Sequence, residues 1–195
     1  MKYFLDSAKI DEVREAYDTF GIDGVTTNPN HIKLSGKPFK EVLKQFVEFV
    51  EEKDIVGYEK FNADDMVAMG KEIAGMCPNF VIKIPCTLAG VTAARRLEAE
   101  GIRTNVTLVF SPSQSIPPMK NNSLFISPFI GWKENSGEDC VQYIEDICTI
   151  RDNYGFDTEI ICAAVRNGKQ FNDCAVSGAD IVTAGLQVYK DSMYH

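Results

Sequence analysis

The chain has 195 residues, 45% of them hydrophobic and 25% charged, with a formal net charge of −8 and a pI near 4.8. Length and composition are those of one globular domain with a sizeable core. The acidic balance excludes a nucleic-acid or anionic-membrane partner, each of which needs a basic face, while a few local cations can still hold a small anion.

Short apolar runs alternate with amphipathic stretches along the chain. Tyr3-Phe4-Leu5 is a strand closed by Asp6, and Ile10, Val13, Tyr17 and Phe20 then recur at helical spacing. Gly24 to Thr27 is a second strand, ended by Asn28-Pro29. Phe39, Val42, Leu43, Phe46, Val47 and Val50 form a helical stripe. Ile55 to Glu59 is a weaker strand, and Met66 to Cys77 again fills one helical face. Phe80 to Ile84 is the fourth strand, followed by a helix that Gly101 stops. Asn105 to Phe110 is the fifth. Ser111 to Asn122 is helical by position, with Pro117-Pro118 expected to limit or kink it. Leu124 to Ser127, a helix through Val141 to Cys148, Glu159 to Ala163, a helix through Phe171 to Ala175, and Asp180 to Thr183 complete the series.

Strands alternating with helices predict parallel β-α units, and eight of them close into a (β/α)8 TIM barrel, an α/β fold in a single domain over residues 1–195. The rival is an open doubly wound sheet, which normally carries a Gly-rich first turn. Here that turn is Asp6-Ser7-Ala8-Lys9, without glycine.

Six cysteines (Cys77, Cys86, Cys140, Cys148, Cys162, Cys174) form no C-x-x-C pair, and neither His31 nor His195 pairs locally with one, so no metal site is expected. Met1 to Ile10 reaches charge too soon for a signal peptide, and no run approaches a membrane span. The expectation is a reduced, cytoplasmic protein that does not touch a membrane.

Lys83 is a single cation in the apolar run Asn79-Phe80-Val81-Ile82-Lys83-Ile84-Pro85. Burial disfavours an ammonium, and a neutral amine can attack a ketone to form a Schiff base. The plainer reading is a lysine whose stem lies in the wall and whose head reaches water. Chemistry in a parallel barrel gathers at the carboxyl ends of the strands. There the sequence places Asp6, Thr26, Asn28, Glu59, Asn105, Thr107, Ser127 and Arg166. Singly, Asp6, Asn28 and Ser127 read as caps or turn residues. Around one buried lysine the set has a chemical logic. Lys83 is the nucleophile and Asp6 the base at the carbon–carbon bond. Glu59 activates a water that Thr107 positions, and Asn28, Asn105 and Ser127 suit the hydroxyls of a sugar. The iminium is the electron sink, so retro-aldol or aldol chemistry follows with no metal or organic cofactor.

At these residues, and from Lys2 to about Tyr189, the chain resembles the small single-barrel members of the transaldolase and fructose-6-phosphate aldolase-like family. The likeness is carried by Phe4-Leu5-Asp6-Ser7-Ala8, Asp23-Gly24-Val25-Thr26-Thr27-Asn28-Pro29, Val81-Ile82-Lys83-Ile84-Pro85, Thr104 to Ser111, Ile126-Ser127-Pro128-Phe129, Asn153 to Ile160 and Gly178-Ala179-Asp180-Ile181. It implies that Lys83 is the Schiff-base lysine, Asp6 the proton-transfer carboxylate, and Asn28, Asn105 and Ser127 substrate contacts. An ordered water is implied between Glu59 and Thr107, although an ungapped match puts Gly57 at the glutamate's place. A transferase of ketone residues acting on ketose and aldose substrates is implied. So is a homo-oligomer, a pentamer or decamer. The helix that follows the barrel in decameric members is missing from a sequence that ends at Tyr194-His195.

The departures from the family pattern bear on the substrate. The family offers an arginine where this chain has Trp132, and a serine where it has Ala164, while Arg166 is kept. A phosphate dianion favours several charge-assisted donors, so one arginine and an indole N–H suit a monoanion such as a sulfonate. These substitutions are similar to those of the sulfosugar branch, the 6-deoxy-6-sulfofructose transaldolases, with fructose 6-phosphate as the competing donor and glyceraldehyde 3-phosphate as an acceptor. Aldolase-type members carry a tyrosine where this chain has Phe129, which points to transfer over release. A lyase of the fructose-6-phosphate aldolase type and a catalytically silent sugar-binding barrel stay open.

Overall fold

The computed structural model describes residues 1–50, 54–56 and 62–194. Its elements run β1 (Lys2–Asp6), α1 (Ile10–Phe20), β2 (Gly24–Thr26), α2 (Pro29–Ser35), α3 (Phe39–Val50), β3 (Asp54–Val56), α4 (Ala63–Ala74), β4 (Phe80–Pro85) and α5 (Leu88–Ala99). They continue β5 (Thr104–Val109), α6 (Pro112–Lys120), β6 (Phe125–Pro128), α7 (Ile130–Asn135), α8 (Cys140–Tyr154), β7 (Glu159–Val165), α9 (Gly168–Val176), β8 (Ile181–Ala184) and α10 (Leu186–Asp191). All strands are parallel and pair in sequence order. The ladder closes β8 against β1, so the open-sheet alternative falls away.

Helices start where the strands hand over, and polar residues at those points explain why. Asn28, Thr87, Ser111 and Asn167 each follow a strand and accept backbone N–H bonds from the first turn of the next helix. Helix α6 runs through Pro117 and Pro118 to Lys120. The prolines fall in its last turn, and the Gln114 carbonyl that Pro118 cannot reach accepts the Cys86 thiol at 3.5 Å. On α1 the buried face is Val13 and Ala16, whereas Tyr17 turns outward at 40% exposure. The helices α2, α7 and α10 are too short to show a periodic stripe, and sequence periodicity does not predict them.

Among the described residues, two apolar clusters divide the core. The larger lies between the outer face of the barrel and its helices. The smaller, Phe4, Val81, Phe125, Ile161 and Ile181, draws one residue from each of five strands and fills the barrel interior. Gly24 makes room for it, since a Cβ there would stand 2.7 Å from the Phe4 ring. Side chains alternate in a strand, so residues two positions on share the inward face. Those residues are Asp6, Lys83, Ser127, Ala163 and Thr183. The apolar plug is therefore the floor of a polar layer.

Among the described residues, two β-bulges shape the rim. The register shifts between Thr107 and Val109 on β5 and between Cys162 and Val165 on β7. Leu108 and Ala164, the residues at the shifts, take positive φ values of 61° and 56°. Each extra residue reverses the alternation, so Val109 and Val165 turn outward into the core under the helices. All six cysteines are free thiols. Among the described residues, no helix is long and apolar enough to cross a membrane.

Candidate active site

Asp6 ends β1 opposite Thr26 in the register, and the two side chains meet. Thr26 donates its hydroxyl to Asp6 Oδ1 at 2.9 Å. That hydroxyl also lies 2.6 Å from Thr183 Oγ1. A hydroxyl has one proton, so Thr183 donates to Thr26 and Thr26 to Asp6. The other oxygen, Oδ2, faces His31 Nε2 at 3.1 Å. Burial alone would raise the Asp6 pKa. The His31 hydrogen bond, the charge of Lys83 and the Thr26 bond outweigh it and hold the carboxyl below its ordinary value. The bond to Asp6 raises the His31 imidazole above its ordinary value, against the opposing pull of burial.

Lys83 is buried on β4, at 7% exposure, and is the register partner of Asn105 on β5. Next along the barrel, Ser127 on β6 donates to Asn105 Oδ1 at 2.8 Å. Asn105 and Ser127 are buried. Asn105 Nδ2 and Thr107 Oγ1 are buried polar atoms with no hydrogen-bond partner among the described residues. Buried donors and hydroxyls are normally satisfied, so such atoms mark places where a ligand or water completes the set.

A cavity of about 410 Å³ opens above this layer, lined by Asp6, Asn28, Asn30, Lys83, Thr107, Leu108, Phe129, Trp132, Ala163, Ala164 and Thr183. The predicted residues divide around it. Asp6, Asn28, Lys83, Thr107, Phe129 and Trp132 face the cavity. Asn28 also caps α2, its Oδ1 accepting from the Asn30 and His31 amides, so its plain reading as a cap holds. Thr26, which the sequence places at the end of the second strand, spends its hydroxyl on Asp6 and is fully buried. Asn105 and Ser127, bonded to each other beside Lys83, are not among the residues that line the cavity. Glu59 lies outside the described residues.

Trp132, on α7, is 57% exposed. Arg166 is exposed just past β7, and its Nε would lie 3.1 Å from a Cβ built on Gly131, so it crosses the base of α7 beside the tryptophan. Gln170 ties the two together. Its Oε1 accepts the Arg166 amide at 2.8 Å and its Nε2 donates to Glu134 of α7. Lys133, next to Trp132 on α7, pairs with Glu138 and stands over the Tyr143 ring at 5.2 Å, outside the set that lines the cavity.

Sequence reasoning missed Thr183, Asn30, Leu108 and His31. Thr183 was legible in principle, as the inward residue two after Ile181. His31 is the third residue of a helix capped by Asn28, and helical side chains lean back toward the N-terminus, here toward Asp6. Leu108 faces the cavity through a bulge that no pattern announces.

The arrangement can hold a polyol over one amine, with a carboxylate kept ionised beside it and hydrogen-bonding groups in the walls. A family model described as Transaldolase/Fructose-6-phosphate aldolase matches residues 3–195. A 6-deoxy-6-sulfo-D-fructose transaldolase of Priestia megaterium is 54% identical over 206 residues, covering 100% of this chain and 89% of that protein. A probable transaldolase of Aquifex aeolicus is 42% identical over 195 residues, covering 100% of this chain and 90% of that one. Among solved structures, 3-hexulose-6-phosphate synthase from Salmonella typhimurium superposes with a TM-score of 0.68 at 14% identity, over 98% of this chain and 93% of that chain, which speaks for the barrel alone. With the match running nearly end to end and the barrel carrying a buried lysine beside a carboxylate, the chain belongs to the transaldolase/fructose-6-phosphate aldolase family and is an enzyme of the transaldolase type.

Proposed function

We propose that this enzyme is a Schiff-base transaldolase that moves a dihydroxyacetone unit from 6-deoxy-6-sulfofructose to an aldehyde acceptor such as glyceraldehyde 3-phosphate. The observation that carries the reading is Lys83, buried in β4 yet lining the cavity with Asp6. The Lys83 amine adds to the C2 carbonyl of the ketose and the carbinolamine loses water to give the iminium. Asp6 takes the proton of the C4 hydroxyl as the C3–C4 bond breaks, and its electron pair passes into the iminium. The distal aldehyde leaves and an enamine stays on Lys83. The enamine carbon then attacks the acceptor aldehyde, Asp6 returns the proton to the new alkoxide, and water releases the product ketose.

Thr107, whose hydroxyl lacks a partner among the described residues, would orient that water with Glu59. Asn28, Asn105 and Ser127 suit the hydroxyls of the bound unit. Phe129, packed edge-on against Phe110 at 5.6 Å, offers no hydroxyl to relay a proton to the enamine, which supports transfer over release.

Trp132 and Arg166 supply one indole N–H and one cation at the distal end, which suits a sulfonate better than a phosphate dianion. The engagement of Lys133 with Glu138 and Tyr143 supports the same choice. The 54% identity to a sulfofructose transaldolase points the same way. The six free thiols suit the cytoplasm, and the family suits a homo-oligomer.

Borohydride reduction in the presence of the ketose, followed by intact mass, should add one dihydroxyacetone unit at Lys83, and Lys83→Ala should abolish both adduct and turnover. An unlabelled protein would leave a sugar-binding barrel as the reading. Side-by-side kinetics with 6-deoxy-6-sulfofructose and fructose 6-phosphate test the distal group, and a preference for the phosphate overturns the sulfonate.

A further inference from the structure

Asp6 is the shared wall of two clefts. One is the cavity that contains Lys83. The other, about 340 Å³, is lined by Asp6 and His31 together with Ser7, Ala8, Lys9, Glu12 and the chain around Leu186. His31 lines the second cleft and not the first. It therefore reaches the carboxylate from behind, on the oxygen opposite the one Thr26 holds. Its side chain is 32% exposed, so the imidazole is in contact with water while Asp6 faces the substrate space.

We propose that His31 is a positioning residue for the reaction: as an imidazolium it fixes the orientation of Asp6 and keeps it a carboxylate, poised to take the C4 hydroxyl proton. The inference rests on the Schiff-base reading of Lys83 and Asp6. The neutral donor Thr26 can orient the carboxylate but brings no net charge. His31 brings both a donor and, when protonated, a charge. The groups around it set the balance. Asp6 on β1 and Glu12 on α1 favour the imidazolium, and Lys83 on β4 opposes it. Glu12 is itself held by Ser7 at 2.6 Å and Lys9 at 3.0 Å, which leaves Asp6 as the principal partner. Asp6 stands two residues along β1 from Phe4 of the apolar plug, and its burial raises its pKa, so the imidazolium acts with Lys83 and Thr26 against the neutral form, which cannot act as a base.

The test compares the pH dependence of kcat/KM from about pH 2.5, below the ordinary Asp value of 3.8, to about pH 8 for the wild type, His31→Gln and His31→Leu. Borohydride trapping is measured on the same samples at pH 7. Glutamine keeps an N–H donor without charge, and leucine removes both. The expected result is an acid limb displaced upward by about one pH unit in both variants, a tenfold loss on that limb. His31→Leu should also lower kcat at the plateau, and trapping should remain at the wild-type level. An acid limb that stays put in both variants, with or without loss of kcat, overturns the proposal. Failure of the wild type to trap the ketose overturns the Schiff-base reading itself, so the two failures are told apart.

Discussion

Gly131 and Ala164 meet at the rim of the barrel with no room between them. A Cβ on Gly131 would stand 2.6 Å from the Ala164 carbonyl oxygen. Ala164 presents that oxygen because it occupies the β7 bulge with φ of 56°. The glycine lets α7 lie directly on the bulge, and this close approach sets where Trp132 and Arg166 stand relative to the cavity.

Gly131→Ala should therefore act on substrate binding. The added methyl forces α7 or the bulge to move, at a cost of about 1–3 kcal/mol for overpacking a tight site. The expected outcome is a lower Tm and a raised KM for the ketose donor, with trapping at Lys83 preserved. Steady-state kinetics and thermal denaturation check it.

Trp132→Arg combined with Ala164→Ser should shift donor preference toward phosphate. On the proposed reading of the distal end, the pair replaces the indole with a cation and adds a hydroxyl near Arg166. Charge-assisted hydrogen bonds contribute about 1.5–3 kcal/mol, so a swing of at least about tenfold in the ratio of kcat/KM for the phosphate and sulfonate ketoses is expected. An unchanged ratio would place distal recognition elsewhere.

Asp6→Asn should separate iminium formation from bond cleavage. The amide keeps shape and burial but cannot take the C4 hydroxyl proton. Turnover should fall by about 10²–10⁴-fold, as for loss of a general base, while borohydride still captures the ketose on Lys83. Loss of the adduct would give Asp6 a different role.

Thr26→Val removes the neutral donor from Asp6 and orphans the Thr183 hydroxyl, both in a fully buried layer. It should destabilise the fold by about 1–3 kcal/mol. It should also raise the pH at which activity fades on the acid side, because one bond favouring the carboxylate is gone. Chemical denaturation and a pH–rate profile read the two effects separately.

The Asp6–His31 pair also gives stability a pH window. The folded protein raises His31 above 6.5, so this contribution is fully present below 6.5 and is lost as pH rises through the folded value. Asp6 is lowered below 3.8, so its contribution is present above 3.8 and lost as pH falls through the folded value. His31→Gln should lower Tm more at pH 6 than at pH 9. Equal losses at both would show that the imidazole contributes packing alone.

The alternation of apolar runs with amphipathic stretches, punctuated by Asn28-Pro29 and Gly101, was enough to read eight parallel β-α units and Lys83 as the odd charge in one strand. Both signals are local, since periodicity and capping depend on residues within a turn or a strand of each other. The family match needed only linear stretches. What the tertiary structure alone decided is which polar residue spends its hydrogen bonds on which. Closure of β8 on β1 brings Thr183, 157 residues away, onto Thr26, and so places both hydroxyls in the support of Asp6. The short helix α2 aims His31 at the same carboxylate, and the bulges at Leu108 and Ala164 re-aim the rim. These are contacts between segments distant in sequence, fixed by barrel register and by backbone excursions that cost strain, and neither has a periodic signature in the chain.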